Sequence, residues 1–382
     1  MDLSLSDEQA AVRQLAAEFV DREVLPHAAE WDRRELIDVK VIKQLGELGF
    51  LGLTIPEEYG GSGGDHLAYC LVLEELGRGD SAVRGVVSVS LGLVGKSILG
   101  YGTEEQKRSW LPRLCSGEAL GCFALTEPGT GSDAGSLATR AVREGDEWVL
   151  TGSKMFITNG TWADVALVFA RTGEAGHRGV SAFLVPTGLP GFDRREIHGK
   201  LGLRGQATAE LTFDGVRVPA DAMLGPAGKG FGVAMSALAK GRMSVAAGCV
   251  GIAKGCLDAA LRYAGEREQF GKPIAAHQLV QQLITAIAVD TDAARLLVWR
   301  VADLIDRGQP FATEANMSKL FASEAAVRAA NNALQVFGGY GYIDEYPVGK
   351  YLRDARVMTL YEGTSQIQQL LIGRALTGVN AF

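Results

Sequence analysis

The sequence has little cysteine and no pattern in it: Cys70, Cys115, Cys122, Cys249 and Cys256 are odd in number and form no CxxC pair. That excludes a disulfide framework and a cysteine zinc site, and it fits buried thiols in a reducing cytoplasm. The five histidines are scattered, with none at metal-ligand spacing. No apolar run approaches the roughly 20 residues of a membrane span. The most apolar segment, residues 85–95, is bracketed by Arg84 and Lys96. The first twenty residues are acidic, so no signal peptide is expected and the protein is expected to be soluble and cytoplasmic. A net charge of -7, with both signs well mixed, offers nucleic acid no basic surface. There is no GxxxxGK(S/T) loop, no βαβ alternation and no internal repeat.

What is present is ample core material, 47% apolar residues in a chain of 382, enough for two or three domains. Glycine is frequent, at 49 residues, which points to tight turns and close backbone approaches. Up to residue 117 the apolar period is helical, as in Leu15 with Phe19 and Ile42 with Leu45 and Leu48. Ser6-Asp-Glu-Gln9 and Thr103-Glu-Glu-Gln106 read as capping boxes. From 118 to 226 the apolar residues come in short β-rich runs (148–150, 165–169, 180–185, 211–213), which predicts an antiparallel β domain. From 227 to 382 the helical period returns, with long helices expected over 231–264, 277–307 and 311–337 in a four-helix bundle. The fold class is therefore α+β, with a helical domain, an antiparallel β domain and a helical bundle in that order.

Two stretches carry chemistry. Gly129-Thr-Gly131-Ser-Asp-Ala134 matches the letters of a dinucleotide fingerprint, but strands follow it rather than a helix, which removes the Rossmann context. The passage from Cys122 to Asp133 still offers backbone amides and hydroxyls to a flat polar ring or a phosphate. The second stretch is Leu360-Tyr-Glu-Gly-Thr-Ser-Gln-Ile-Gln368. Thr364 is placed to cap a helix carrying Ile367, Leu370 and Leu371. Glu362, beside apolar neighbours at this junction, can be desolvated towards the range of a general base. The same residues also fit a glutamate that merely complements a helix dipole.

The segments ALTEPGTGSD, KMFITNG, REQFGKPIAAHQ, QVFGGYGY and LYEGTSQIQ, in this order along the whole chain, resemble the acyl-CoA dehydrogenase family, of short- or medium-chain type. The resemblance implies FAD held without a Rossmann fold. Phe123, Leu125, Thr126, Gly131 and Ser132 would line the flavin ring, and Phe156, Ile157 and Thr158 would cover it; many relatives have tryptophan where Phe156 stands. Arg267, Phe270, Gln278, Gln335, Val336, Gly338 and Gly339 would reach the FAD of a neighbouring subunit in a homotetramer built as a pair of dimers. Thr364 and Gln366 would return to the cofactor. Ser132, Arg242, Tyr361 and Gly363 would meet the substrate. Glu362 would be the catalytic base, removing the α-proton of an acyl-CoA while the β-hydride passes to the flavin, to leave a trans-2-enoyl thioester. A second class in the family carries its base near Gly241, where this chain has no side chain. Ala239 stands where short- and medium-chain members have an aspartate for the pantetheine arm, which keeps an acyl carrier protein thioester open as an alternative substrate. The closing residues 376–382 are similar to members acting on carrier-bound acyl groups. The implied electron acceptor is an electron-transferring flavoprotein. A direct acyl-CoA oxidase and a non-catalytic flavin-binding assembly protein are the other readings.

Overall fold

A computed structural model describes residues 4–380, so the last two residues of the closing sequence lie outside it. The chain opens with helices α1 (Asp7–Phe19), α2 (Ala28–Arg34), α3 (Val39–Glu47), α4 (His66–Gly79), α5 (Ser81–Val87), α6 (Lys96–Tyr101) and α7 (Glu104–Ser116). Both expected capping boxes form. Ser6 Oγ accepts from the Gln9 backbone at 3.1 Å while Gln9 Oε1 accepts from the Ser6 N–H at 3.0 Å, and Thr103 and Gln106 repeat the exchange. Gln106 Nε2 also donates to the carbonyls of Asp221 and Met223, which fastens the helical part to the β part.

Between α5 and α6 the helix is π-wound over Ser88–Gly95. This joins the apolar run into one helical stretch, Ser81–Tyr101, long and apolar enough to cross a membrane by composition, as is Gly230–Glu266. The sequence expectation that no such stretch exists is thus corrected. Both are core helices of this fold, with 83% and 72% of their most apolar windows buried within it.

The central part holds strands β1 (Gly121–Ala124), β2 (Arg140–Glu144), β3 (Glu147–Thr158), β4 (Val165–Arg171), β5 (Val180–Pro186), β6 (Phe192–Glu196), β7 (Thr208–Pro219) and β8 (Met223–Leu224). Their order is β6-β7-β3-β2-β4-β5-β8, with β1 beside β4. Most pairs are antiparallel as expected, but β1 runs parallel to β4, because the chain enters this sheet from the helical part rather than by a hairpin. β4 is covered on both faces: Val165, Leu167 and Phe169 belong to the core shared with the helices, while Ala166, Val168 and Ala170 belong to the sheet's own core. Alternate side chains point to opposite faces, so a doubly covered strand must be apolar at every position.

The chain then forms α8 (Gly230–Glu266), a two-stranded ribbon of β9 (Glu268–Gln269) and β10 (Lys272–Pro273), α9 (Gln278–Asp306), α10 (Ala312–Phe337), α11 (Val348–Met358) and α12 (Ser365–Thr377). α8, α9 and α10 pack on one another, α12 lies along α10, and α4 of the first part packs against α8. A buried ion network locks the three parts. Lys350 Nζ donates to Asp80 at 3.0 Å and to Asp354 at 2.6 Å, and Asp354 accepts from the Leu203 backbone at 2.7 Å. All five cysteines are buried free thiols.

Candidate active site

Glu362 sits where the three parts meet. α11 ends at Met358, and α12 begins after Thr364, whose Oγ1 accepts from the Ile367 N–H at 3.3 Å, the cap expected from sequence. The two residues before the cap are both left-handed, Glu362 at φ 51° and Gly363 at φ 96°. A glutamate in that region costs about 1–2 kcal/mol, so the surroundings must hold it there. Gln368 Nε2 donates to the carbonyls of both residues, at 3.2 and 3.0 Å. Lys319 Nζ donates to Gly363 O at 2.8 Å. Arg242 points Nε at Glu362 O from 3.5 Å while its Nη1 donates to Asn316 Oδ1 at 2.8 Å.

The residue as a whole is partly open, yet its carboxylate atom Oε2 is buried and has no hydrogen-bond partner. Burial pushes the carboxyl up to about 7, against the opposing pull of the Arg84, Arg242 and Lys319 cations. A group divided between its two forms near neutral pH is suited to take and return a proton. A Cβ built on Gly241 would meet Oε2 at 2.2 Å and Leu93 Cδ2 at 2.8 Å. Leu93 belongs to a small apolar cluster with Val89, Ala237 and Phe123, apart from the two main cores. The buried carboxyl therefore faces an apolar wall contributed by the π-wound segment, by α8 and by β1.

The β part brings a second group of expected residues together. Leu125 and Thr126 follow β1, and the Thr126 carbonyl accepts from the Met155 N–H at 2.9 Å. The fully buried Lys154 ties this passage down, donating to Glu127 Oε1 at 2.8 Å and to the carbonyls of Leu125 and Phe169. Phe156 stands at a β-bulge with φ 60° and is 66% exposed, while Ile157 beside it is buried and Thr158 half-buried. A bulky aromatic in a strained, outward conformation presents a flat face with nothing of its own chain to cover it. Gly131 and Ser132 are exposed, and a Cβ at Gly129 or Gly131 would meet nothing within 4 Å. An aromatic face, the hydroxyls of Thr126, Ser132 and Thr158, and open glycine backbone fit a large flat cofactor with a polar edge. FAD fits this set.

A third group lies elsewhere. Arg267, Val336, Gly338 and Gly339 line a cavity of about 460 Å³ with Tyr263, Phe337 and Tyr340. Arg267 lies 5.6 Å from the Tyr340 ring centroid, and Phe270 on the ribbon is 93% exposed at φ 55°. Gln278 and Gln335 are exposed; Gln366, also exposed, stands on α12 four residues from Glu362 and is not part of this group. Arg267 stands 25 residues beyond Arg242, at the far end of α8, so about 37 Å of helix separates it from the base. One chain does not bring this group to Glu362.

Sequence reasoning missed Arg84, Lys319, Gln368 and the Lys154–Glu127 pair. Arg84 was read as a flank of the apolar run. It is instead buried to 1%, with Nη2 donating to the Tyr361 hydroxyl and Nε unpartnered. A lone cation inside an otherwise apolar helical run was the available signal.

A helical part, a mostly antiparallel sheet and a helical bundle converging on one buried carboxyl define a three-part α-β-α enzyme class. Models of the acyl-CoA dehydrogenase N-terminal, middle and C-terminal domains match residues 6–118, 122–216 and 228–377. The human mitochondrial short-chain specific acyl-CoA dehydrogenase is 44% identical over 97% of this chain and 90% of its own. The butyryl-CoA dehydrogenase of Megasphaera elsdenii superimposes with a TM-score of 0.97 at 41% identity, over 98% of this chain and all of that one. A structure described as an electron transferring flavoprotein of Acidaminococcus fermentans gives the same TM-score at 42% identity, over 99% of this chain and 100% of its own. The chain belongs to the acyl-CoA dehydrogenase family, FAD-dependent oxidoreductases that act on the CH–CH bond of an acyl-CoA.

Proposed function

We propose that this enzyme oxidises a short acyl-CoA to the trans-2-enoyl-CoA with Glu362 as its base. The observation that carries this reading is the buried, unpartnered Oε2 of Glu362, poised near pH 7 against the space left by Gly241. Bound FAD supplies the acceptor for the β-hydride. Glu362 takes the α-proton at Oε2, so the substrate gives up one proton and one hydride and gains a C=C bond. The α-C–H is very weakly acidic, and the negative charge that gathers on the thioester oxygen needs a donor. The backbone N–H of Glu362 is the chain's own candidate. Phe156, Ile157, Thr158, Phe123, Leu125, Thr126, Gly131 and Ser132 would hold the cofactor, together with Thr364 and Gln366. Arg242, Tyr361, Gly363 and Ser132 would border the substrate.

The remote group around Arg267 supports assembly. Placed about 37 Å along α8 from its own base, it serves the FAD of a second copy, and the expected form is a homotetramer. An electron-transferring flavoprotein would take the electrons away. The division of the chain near residues 117 and 226 is part of the same reading.

Arg84 favours a second substrate reading, an acyl chain ending in a carboxylate. No carboxylate of the described residues lies within 4.0 Å of its guanidinium. The experiment is an anaerobic panel scored by flavin bleaching: short acyl-CoAs, a dicarboxylyl-CoA, and a short acyl group on a carrier protein. Bleaching by short acyl-CoAs is expected, and no bleaching by any thioester would overturn the proposal.

A further inference from the structure

We infer that Lys319, on α10, is the positioning residue that locks the turn of Glu362 and Gly363 and sets a positive charge behind the base. Its side chain is fully buried in α10, and its ammonium donates to a single acceptor, Gly363 O at 2.8 Å. The other fully buried lysine, Lys154, is tied to a carboxylate, Glu127 at 2.8 Å, and the largely buried Lys350 to Asp80 and Asp354; Lys96, at the edge of the core, shares with Lys319 a lone backbone acceptor, Thr54 O at 2.8 Å. Lys319 has no carboxylate within 4.0 Å among the described residues. A peptide carbonyl can be satisfied by a neutral donor, so a desolvated ammonium at this place is expensive unless its charge is used.

The charged and titratable groups around it show where that charge acts. From α8 come Arg242 and Cys249, from α10 itself Glu324, and from the segment between α11 and α12 Glu362. Glu362 is faced in turn by Arg84 from α5, Arg242 from α8 and Lys319 from α10, and the hydroxyls of Tyr69 on α4 and of Tyr361 lie within its field. Glu324 already accepts from the Ser365 hydroxyl at 2.6 Å. The anion left for Lys319 is Glu362, one peptide unit away. The ammonium therefore does two things. It draws Gly363 O towards α10, which keeps both residues left-handed, and it favours the ionised base over the neutral acid.

The inference rests on Glu362 being the base, and the test separates the two. The pH profile of anaerobic flavin reduction is measured for the holoenzyme and for Lys319→Met, Lys319→Gln and Lys319→Arg, with FAD content and Tm recorded alongside. Neutral substitution is expected to move the midpoint up by about one pH unit and to slow reduction at pH 7 about fivefold. Lys319→Arg is expected to restore the midpoint. A merely structural lysine would change Tm and rate and leave the midpoint in place, and that result overturns the inference. If neither neutral variant assembles, a displaced midpoint in Lys319→Arg overturns the inference. Glu362→Gln is the control, because a midpoint near pH 7 that survives it refutes the base assignment rather than the role of Lys319.

Discussion

The Glu362 carboxyl fills the volume that a side chain at Gly241 would need, since a Cβ there would come within 2.2 Å of Oε2 and 3.0 Å of Cδ. The glycine is required by this approach, not by its backbone, which is ordinary helix. Gly241→Ala should gain up to about 1 kcal/mol of helix propensity while displacing the base. A misplacement of about 1 Å can cost 10²-fold. Flavin reduction is therefore expected to fall roughly 10²-fold with Tm nearly unchanged, as stopped-flow and thermal unfolding would show.

The pH dependence of stability has a definite sign. The folded carboxyl of Glu362 lies near 7, above its ordinary 4.5, so the fold favours the neutral form. That contribution is complete below pH 4.5 and is lost as pH rises through 7. Glu362→Gln cannot ionise, and at pH 8 it should be more stable than the parent by on the order of 3 kcal/mol. The gap should close towards pH 4.5. Denaturant titrations at the two pH values check this.

Phe156 is held at φ 60° with its ring outward. Phe156→Gly relieves that strain and gives up little burial, so stability should stay within about 1 kcal/mol. FAD should bind about fivefold more weakly, for loss of a stacking face worth roughly 1 kcal/mol. Fluorescence titration of the apoprotein with FAD measures it.

Much of this was legible locally. The capping boxes at Ser6 and Thr103, the cap at Thr364 and the strand runs depend on side chains within a few residues of one another. The parallel pairing of Gly121 with Val165 was not legible, because it joins strands separated by two others in sequence. Nor was the π-winding of Ser88–Gly95, which an apolar run does not encode. Glu362 could be singled out as a junction carboxylate, but its orphaned Oε2 depends on Gly241, Leu93 and Lys319 from three distant elements. Arg84 looked like a flank because burial of a cation is set by tertiary packing alone.

Arg267 tests the shared site. It lines a cavity remote from the base, and on the proposed reading it serves the FAD of a second copy. Arg267→Ala should cost FAD binding about 1.5–3 kcal/mol, the worth of a charge-assisted contact, and should leave the fold of each chain intact. Stoichiometric FAD after dilution and gel filtration of the variant would remove the shared-site reading.

The most direct test of the account is the rate of anaerobic flavin reduction by a short acyl-CoA in Glu362→Gln. The variant should remain yellow and assembled and reduce its flavin roughly 10³-fold more slowly, the scale of a lost positioned base. Reduction at close to the parental rate would contradict the assignment of Glu362.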